Sequence, residues 1–174
     1  DIRNNIISIT NNKATANKYC IMISPFTHNI FCNNNVYYFG TTQGNRYYGR
    51  RSTIYCTTLA NWQINQQSAI YSGPNDANSI AANPQFGSPA LTPKNASLRT
   101  MGADYSAVVP DDYFGFTRPT NSSPGAIDMN SLMVSDDKTL SENENYNSVT
   151  ITPTGQLTLD DNYSLTVNGD FIIE

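Results

Sequence analysis

Three groups of side chains have types and spacing that could carry chemistry. Arg46-Tyr47-Tyr48-Gly49-Arg50-Arg51 gathers three guanidinium groups and two phenols within six residues. Guanidinium pairs with carboxylate or sulfate oxygens, and phenol rings lie against sugar rings, so this cluster reads either as a glycan contact or as a solvated turn. Trp62 sits on the best helix candidate, where it either packs inward or offers a further binding platform. Asp111, Asp112 and Asp128 suggest paired acids or calcium ligands. Calcium takes six to eight oxygens, and Asp111-Asp112-Tyr113-Phe114-Gly115 supplies too few to support it. His28 is the single histidine and lacks a Ser or Cys in a nucleophile context. Cys20, Cys32 and Cys56 form no CxxC pair, so zinc is not implied. Each lies among apolar or aromatic neighbours, as buried thiols do; one disulfide is the alternative. These residues imply no catalytic constellation and no cofactor.

The elements that must position them are strands. Charged residues make up only 14 % of the chain, while aromatics reach 11 %, led by 11 Tyr. Such a composition, rich also in Asn, Thr and Ser, favours strands and turns over long helices. Short apolar runs occur at 2–9, 19–23, 29–32, 36–39 and 54–56. Polar turns separate them, among them Pro25-Phe26-Thr27-His28 and Asn33-Asn34-Asn35. Few of these turns carry the Asn-Gly or Asp-Gly pair of a tight hairpin. Their Asn content suits strands stacked on equivalents in a next coil, because Asn bonds along a stack and tolerates left-handed backbone angles. Thr58 to Gln63 is expected to be a short helix with Thr57 or Thr58 as N-cap. Residues 72–100 and 111–124 read as loop.

The tail has its own rhythm. Apolar pairs recur at Val149/Ile151, Leu157/Leu159, Leu165/Val167 and Phe171/Ile173, with Thr150, Thr158 and Thr166 between the first three pairs. The repeat of about eight residues predicts a narrow stack or meander with one buried face. Such a unit must dock on the preceding domain or continue beyond Glu174. The charged stretch at 131–148 is expected to be a linker.

Net charge is −4 with pI near 4.8, which argues against nucleic acid and offers no polybasic attraction to lipid. No apolar run approaches the ~20 residues that span a bilayer as a helix. Strand-like residues at both ends are expected of a piece of a longer polypeptide.

Four stretches, in order, resemble one family. Asn33-Asn34-Asn35-Val36-Tyr37-Tyr38 looks like its "DYNxYY" strand, and Thr58-Leu59-Ala60-Asn61-Trp62-Gln63 is similar to its "TLADWQ" helix. The segment from Asp76 to Phe86 matches "DANSIxADPxF", and Asp111 to Pro119 followed by Gly125 to Asp128 looks like "DxDGxxRP…IGAxE". The chain thus resembles the closing part of right-handed parallel β-helix proteins secreted by Bacteroidetes-type bacteria, of the choice-of-anchor or polysaccharide-lyase-like kind. It departs where the family has "GSPAI": Asn95-Ala96-Ser97-Leu98 stands there, and Gly87-Ser88-Pro89-Ala90-Leu91 comes early. The resemblance implies that Asp111 to Asp128 caps the coils, with Arg118 bonded to a cap carboxylate or carbonyl. The tail resembles the threonine-rich repeats ahead of type IX sorting domains, which implies contact with that secretion machinery.

The expectation is an all-β chain: terminal coils of a right-handed parallel β-helix with a loop-rich cap at 1–130, a linker at 131–148, and a Thr-rich β-repeat at 149–174. It implies a bacterial secreted or cell-surface module without catalysis, contacting polysaccharide or another surface through Arg46, Tyr47, Tyr48, Arg50, Arg51 and Trp62. The alternatives are a lyase or hydrolase whose catalytic coils lie upstream, with an Arg or Lys as base, and a structural spacer.

Overall fold

The computed structural model describes residues 1–24, 30–65, 76–87 and 91–174. His28, the turn containing it, and Ser88 to Ala90 lie outside the described residues. Strand dominates, in small parallel sheets, and the chain is all-β in character.

The first strands come in two sets of three. β1 (Ile2–Arg3), β2 (Ile6–Ile9) and β3 (Asn17–Ile23) are followed by β4 (Cys32–Asn33), β5 (Val36–Phe39) and β6 (Asn45–Arg51). Each member of the first set pairs in parallel with its counterpart: Ile2 opposite Cys32, Ile6 opposite Val36, Asn17 opposite Asn45. Parallel neighbours need a crossover rather than a hairpin, which is why Asn-Gly turns are scarce. β7 (Ile54–Cys56) then folds back antiparallel on β6, and β8 (Ile80–Ala81) extends β5. The Asn-rich turns behave as expected. Asn4 and Asn34 occupy equivalent corners at φ 54° and 55°, and the Asn45 amide donates to the Asn17 side chain at 2.9 Å.

Between β7 and β8 runs α1 (Leu59–Asn65), capped by Thr58, whose hydroxyl accepts from the Asn61 N–H at 3.1 Å. Trp62 turns inward and is fully buried with Ile21, Ile23, Cys32, Tyr37 and Cys56. None of the three cysteines is in a disulfide: Cys32 and Cys56 are buried and Cys20 is half-buried. Burial pushes Cys20 and Cys32 each up to about 12.

The loop-rich stretch 91–130, expected as a cap, packs over β2 and β5, where Leu98 and Met129 meet Val36. Two acids order its loops. Asp112 accepts from the N–H groups of Phe114, Phe116 and Asp128 at 2.8, 3.0 and 3.1 Å. Asp128 accepts from the N–H groups of Ser123 and Asn130. Arg118 donates to the carbonyls of Asp111, Ser123, Gly125 and Ala126, the carbonyl-bonded arrangement anticipated for it.

Residues 131–148 correct the linker expectation. They carry β9 (Ser131–Val134), β10 (Asp137–Leu140) and β11 (Glu144–Tyr146). A strand needs an apolar side chain only on its inward face, and Leu132, Val134 and Leu140 supply it; the acids between them point to water. β12 (Ser148–Ile151), β13 (Gln156–Leu159), β14 (Leu165–Val167) and β15 (Phe171–Ile173) complete the tail. Consecutive strands of the eight-residue repeat do not pair with one another. β12 lies between β9 and β15, β13 on β10, and β14 on β11, all parallel. The short period therefore steps from one sheet to the next, and stacking follows the longer interval that sets Val149 opposite Leu132 and Phe171.

Candidate functional site

The basic and aromatic cluster is a strand rather than a turn. β6 runs along β3 with Lys18 opposite Arg46, Tyr19 opposite Tyr47 and Met22 opposite Arg50. On its other side Tyr55 of β7 lies opposite Arg50. Four arginine and lysine side chains on these strands depress the apolar signal, which is why the sequence reads as solvated.

Alternation slips in the middle of β6. Tyr48 faces the core, its ring edge-on to Tyr37 and Phe39 at 6.2 and 5.4 Å, and burial raises the pKa of its phenol. Gly49 also faces inward: a Cβ there would lie 1.9 Å from the Trp62 ring. Tyr47 and Arg50 thus share the outer face. The Tyr47 ring meets Tyr19, stacked at 5.2 Å, and Tyr55, tilted at 5.1 Å, and those two rings lie 6.3 Å apart, so the three form a triangle. Arg50 lies over this column, 4.8 Å from the Tyr55 ring centre and 5.9 Å from that of Tyr19. Its Nε donates to the Ser52 carbonyl at 2.7 Å.

Beside the column opens a cavity of about 550 Å³, within the range of small-ligand sites. Its wall includes Tyr38, Asn45, Arg46, Tyr47 and Asn83. Arg46 is exposed and makes one long bond, to the Thr41 carbonyl at 3.4 Å. Lys18 is buried instead, its ammonium donating to the carbonyls of Lys13 and Gln43 at 2.8 and 2.7 Å. Among the described residues, no carboxylate lies within ion-pair distance of Lys18, Arg46 or Arg50.

The expected site residues therefore divide. Arg46 and Tyr47 line the cavity, and Arg50 lies over Tyr55 and Tyr19 further along the same strand. Tyr48 belongs chiefly to the core with one edge on the cavity, and Arg51 is half-buried opposite Ile23 and Ile54. Trp62 cannot serve as a binding platform because it is fully enclosed, its indole N–H donating to Asp76 at 2.8 Å.

Sequence reasoning missed two things. Tyr19 and Tyr55 complete the aromatic column, one strand to either side of Tyr47. A charge asymmetry also points to this face: residues 2–75 hold six Lys and Arg and no Asp or Glu. The net charge of −4 conceals a basic first part and an acidic remainder.

Asp76 was also overlooked as a centre. Fully buried at φ 67°, it accepts from the Tyr37 hydroxyl at 2.6 Å, the Trp62 indole, the Ser79 hydroxyl and the Asn35 amide at 3.4 Å. Asn35, Tyr37, Trp62 and Ser79, from separate stretches of the sequence, thus converge on one carboxylate.

No protein-family model matches the chain, and no curated protein or solved structure matches it.

Proposed function

We propose that the chain is a non-catalytic module of a secreted or cell-surface bacterial protein, built as the closing coils of a right-handed parallel β-helix and contacting polysaccharide through β3, β6 and β7. The in-order parallel pairing of β1–β3 with β4–β6, and of β9–β11 with β12–β14, supports the β-helix reading, since right-handed crossovers are the rule for parallel connections. Secretion by a type IX-like route rests on the resemblance of the tail alone.

The observation that carries the functional reading is the outer face of β6. Arg46, on a cavity lined by amide and phenol groups, and Arg50, over Tyr55 and Tyr19, have no carboxylate partner among the described residues. Such a surface suits an extended polar polymer laid across stacked strands. Affinity electrophoresis tests it, with the 174-residue chain run through gels holding a panel of neutral and acidic polysaccharides. Retardation by at least one, lost in Arg46→Ala/Arg50→Ala, is the expected result. Unretarded migration throughout the panel overturns the reading.

A further inference from the structure

Resting on that reading, we infer that the ligand of the β3–β6–β7 face is a polyanionic glycan, carboxylated or sulfated, held by Arg46 and Arg50 through charge and hydrogen bonds. The first support is the field. The sequence from Ile2 to Asn75 contributes no negative side chain, while six cations fall within it. No acid appears among the residues lining the cavity. In a protein of net negative charge, an acid-free patch of this kind attracts polyanions and repels little of them.

Donor geometry supplies the second support. Guanidinium presents five N–H donors in a plane. Arg46 commits one to a long backbone bond, and Arg50 has its Nε bonded to Ser52 with Nη1 4.0 Å from the Met22 sulfur. Both keep donors for a two-pronged grip on carboxylate or sulfate. Asn45 and Asn83, at the cavity wall, offer amides suited to sugar hydroxyls.

The packing of Tyr47 is the third. Its ring touches those of Tyr19 and Tyr55, which also meet each other, and Arg50 lies over Tyr55 and Tyr19. These mutual contacts stiffen the strand that carries the two arginines.

Three ligands separate the outcomes: polygalacturonate, the same polymer with its carboxylates reduced to alcohols, and a single-stranded oligo(dT). Binding of the full chain is measured by calorimetry at 50 and 500 mM NaCl. Polygalacturonate, or chondroitin sulfate run in parallel, should bind, with affinity falling by roughly 25- to 60-fold across that salt range, as two released counterions require. The reduced polymer should bind at least tenfold more weakly. Arg46→Ala and Arg50→Ala should each weaken binding about 5- to 20-fold with an unchanged melting temperature, and Arg46→Lys should recover part of it. Equal, salt-insensitive binding of the reduced polymer overturns the polyanion inference while leaving glycan contact standing. Binding of oligo(dT) without either acidic glycan overturns both, as does binding of no ligand at all.

Discussion

The indole N–H of Trp62 donates to the Asp76 carboxylate at 2.8 Å, and both side chains are fully excluded from water. That bond ties α1 to the turn ahead of β8, and the Tyr37 hydroxyl, on the same carboxylate oxygen, ties in β5. Burial and the neighbouring Asp76 charge both raise the pKa of the Tyr37 phenol, which keeps it a donor.

Asp76→Ala should therefore unfold the first part of the chain far more readily than its size change suggests. It strands the Tyr37, Trp62 and Ser79 donors in the interior, at about 1–3 kcal/mol for each buried polar group left unpaired. Urea denaturation followed by Trp62 fluorescence measures the loss, expected at roughly 3–5 kcal/mol once partial relaxation is counted. A loss below about 1 kcal/mol would mean the network contributes little.

Gly49 and Trp62 occupy adjoining space with no room for a methyl group. Gly49→Ala should cost about 1–3 kcal/mol through overpacking, because the added Cβ meets the indole ring itself. In a Trp62→Leu background the same change should cost less, since the shorter side chain vacates that space. Equal costs in the two backgrounds would place the strain elsewhere.

The main expectations met by the structure rest on local signals. Tyr37 buried and Tyr38 half-buried follow from strand alternation, and Thr58 at the helix start follows from its hydroxyl. The paired apolar residues of the tail marked β12 to β15 because each pair needs only its own strand to be read. What was not legible depends on partners distant in sequence. β6 looked solvated because its inward half includes Gly49, a position whose apolar partner is Trp62. β9 to β11 looked like a linker because their acids are visible in sequence and the layer they stack beneath is not. The accessible site was half legible: Arg46, Tyr47 and Arg50 are neighbours in sequence, whereas Tyr19 joins them only through the parallel register.

Alkaline pH should destabilise the chain in a defined window. Cys20 and Cys32 are pushed from 9.0 to about 12 by burial. The unfolded chain therefore loses these protons before the folded one does. Below pH 9 the contribution to stability is complete, and it declines as pH rises from 9 towards 12. Urea midpoints taken at pH 8, 9, 10 and 11 should fall progressively, and Cys20→Ala should flatten the decline. At pH 8 both thiols should also resist iodoacetamide until denaturant is added, because the reacting species is the thiolate.

The cap makes the last prediction, since one side chain spans its loops. Arg118 donates to four backbone carbonyls, the shortest bonds being 2.8 Å to Gly125 and 2.9 Å to Ala126. A lysine carries the same charge but only one nitrogen, so it cannot reach carbonyls spread around a planar guanidinium. Arg118→Lys should leave those of Gly125 and Ala126 competing for a single ammonium. Gly125 itself donates to the Asn4 carbonyl at 2.8 Å, which links the cap to the turn between β1 and β2. Hydrogen exchange should accelerate at Gly125, and also at Tyr113, whose N–H donates to the Ala126 carbonyl. The tail strands should keep their protection, because their pairing does not pass through Arg118. Faster exchange spreading equally into β12 would show instead that cap and tail open together as one cooperative unit.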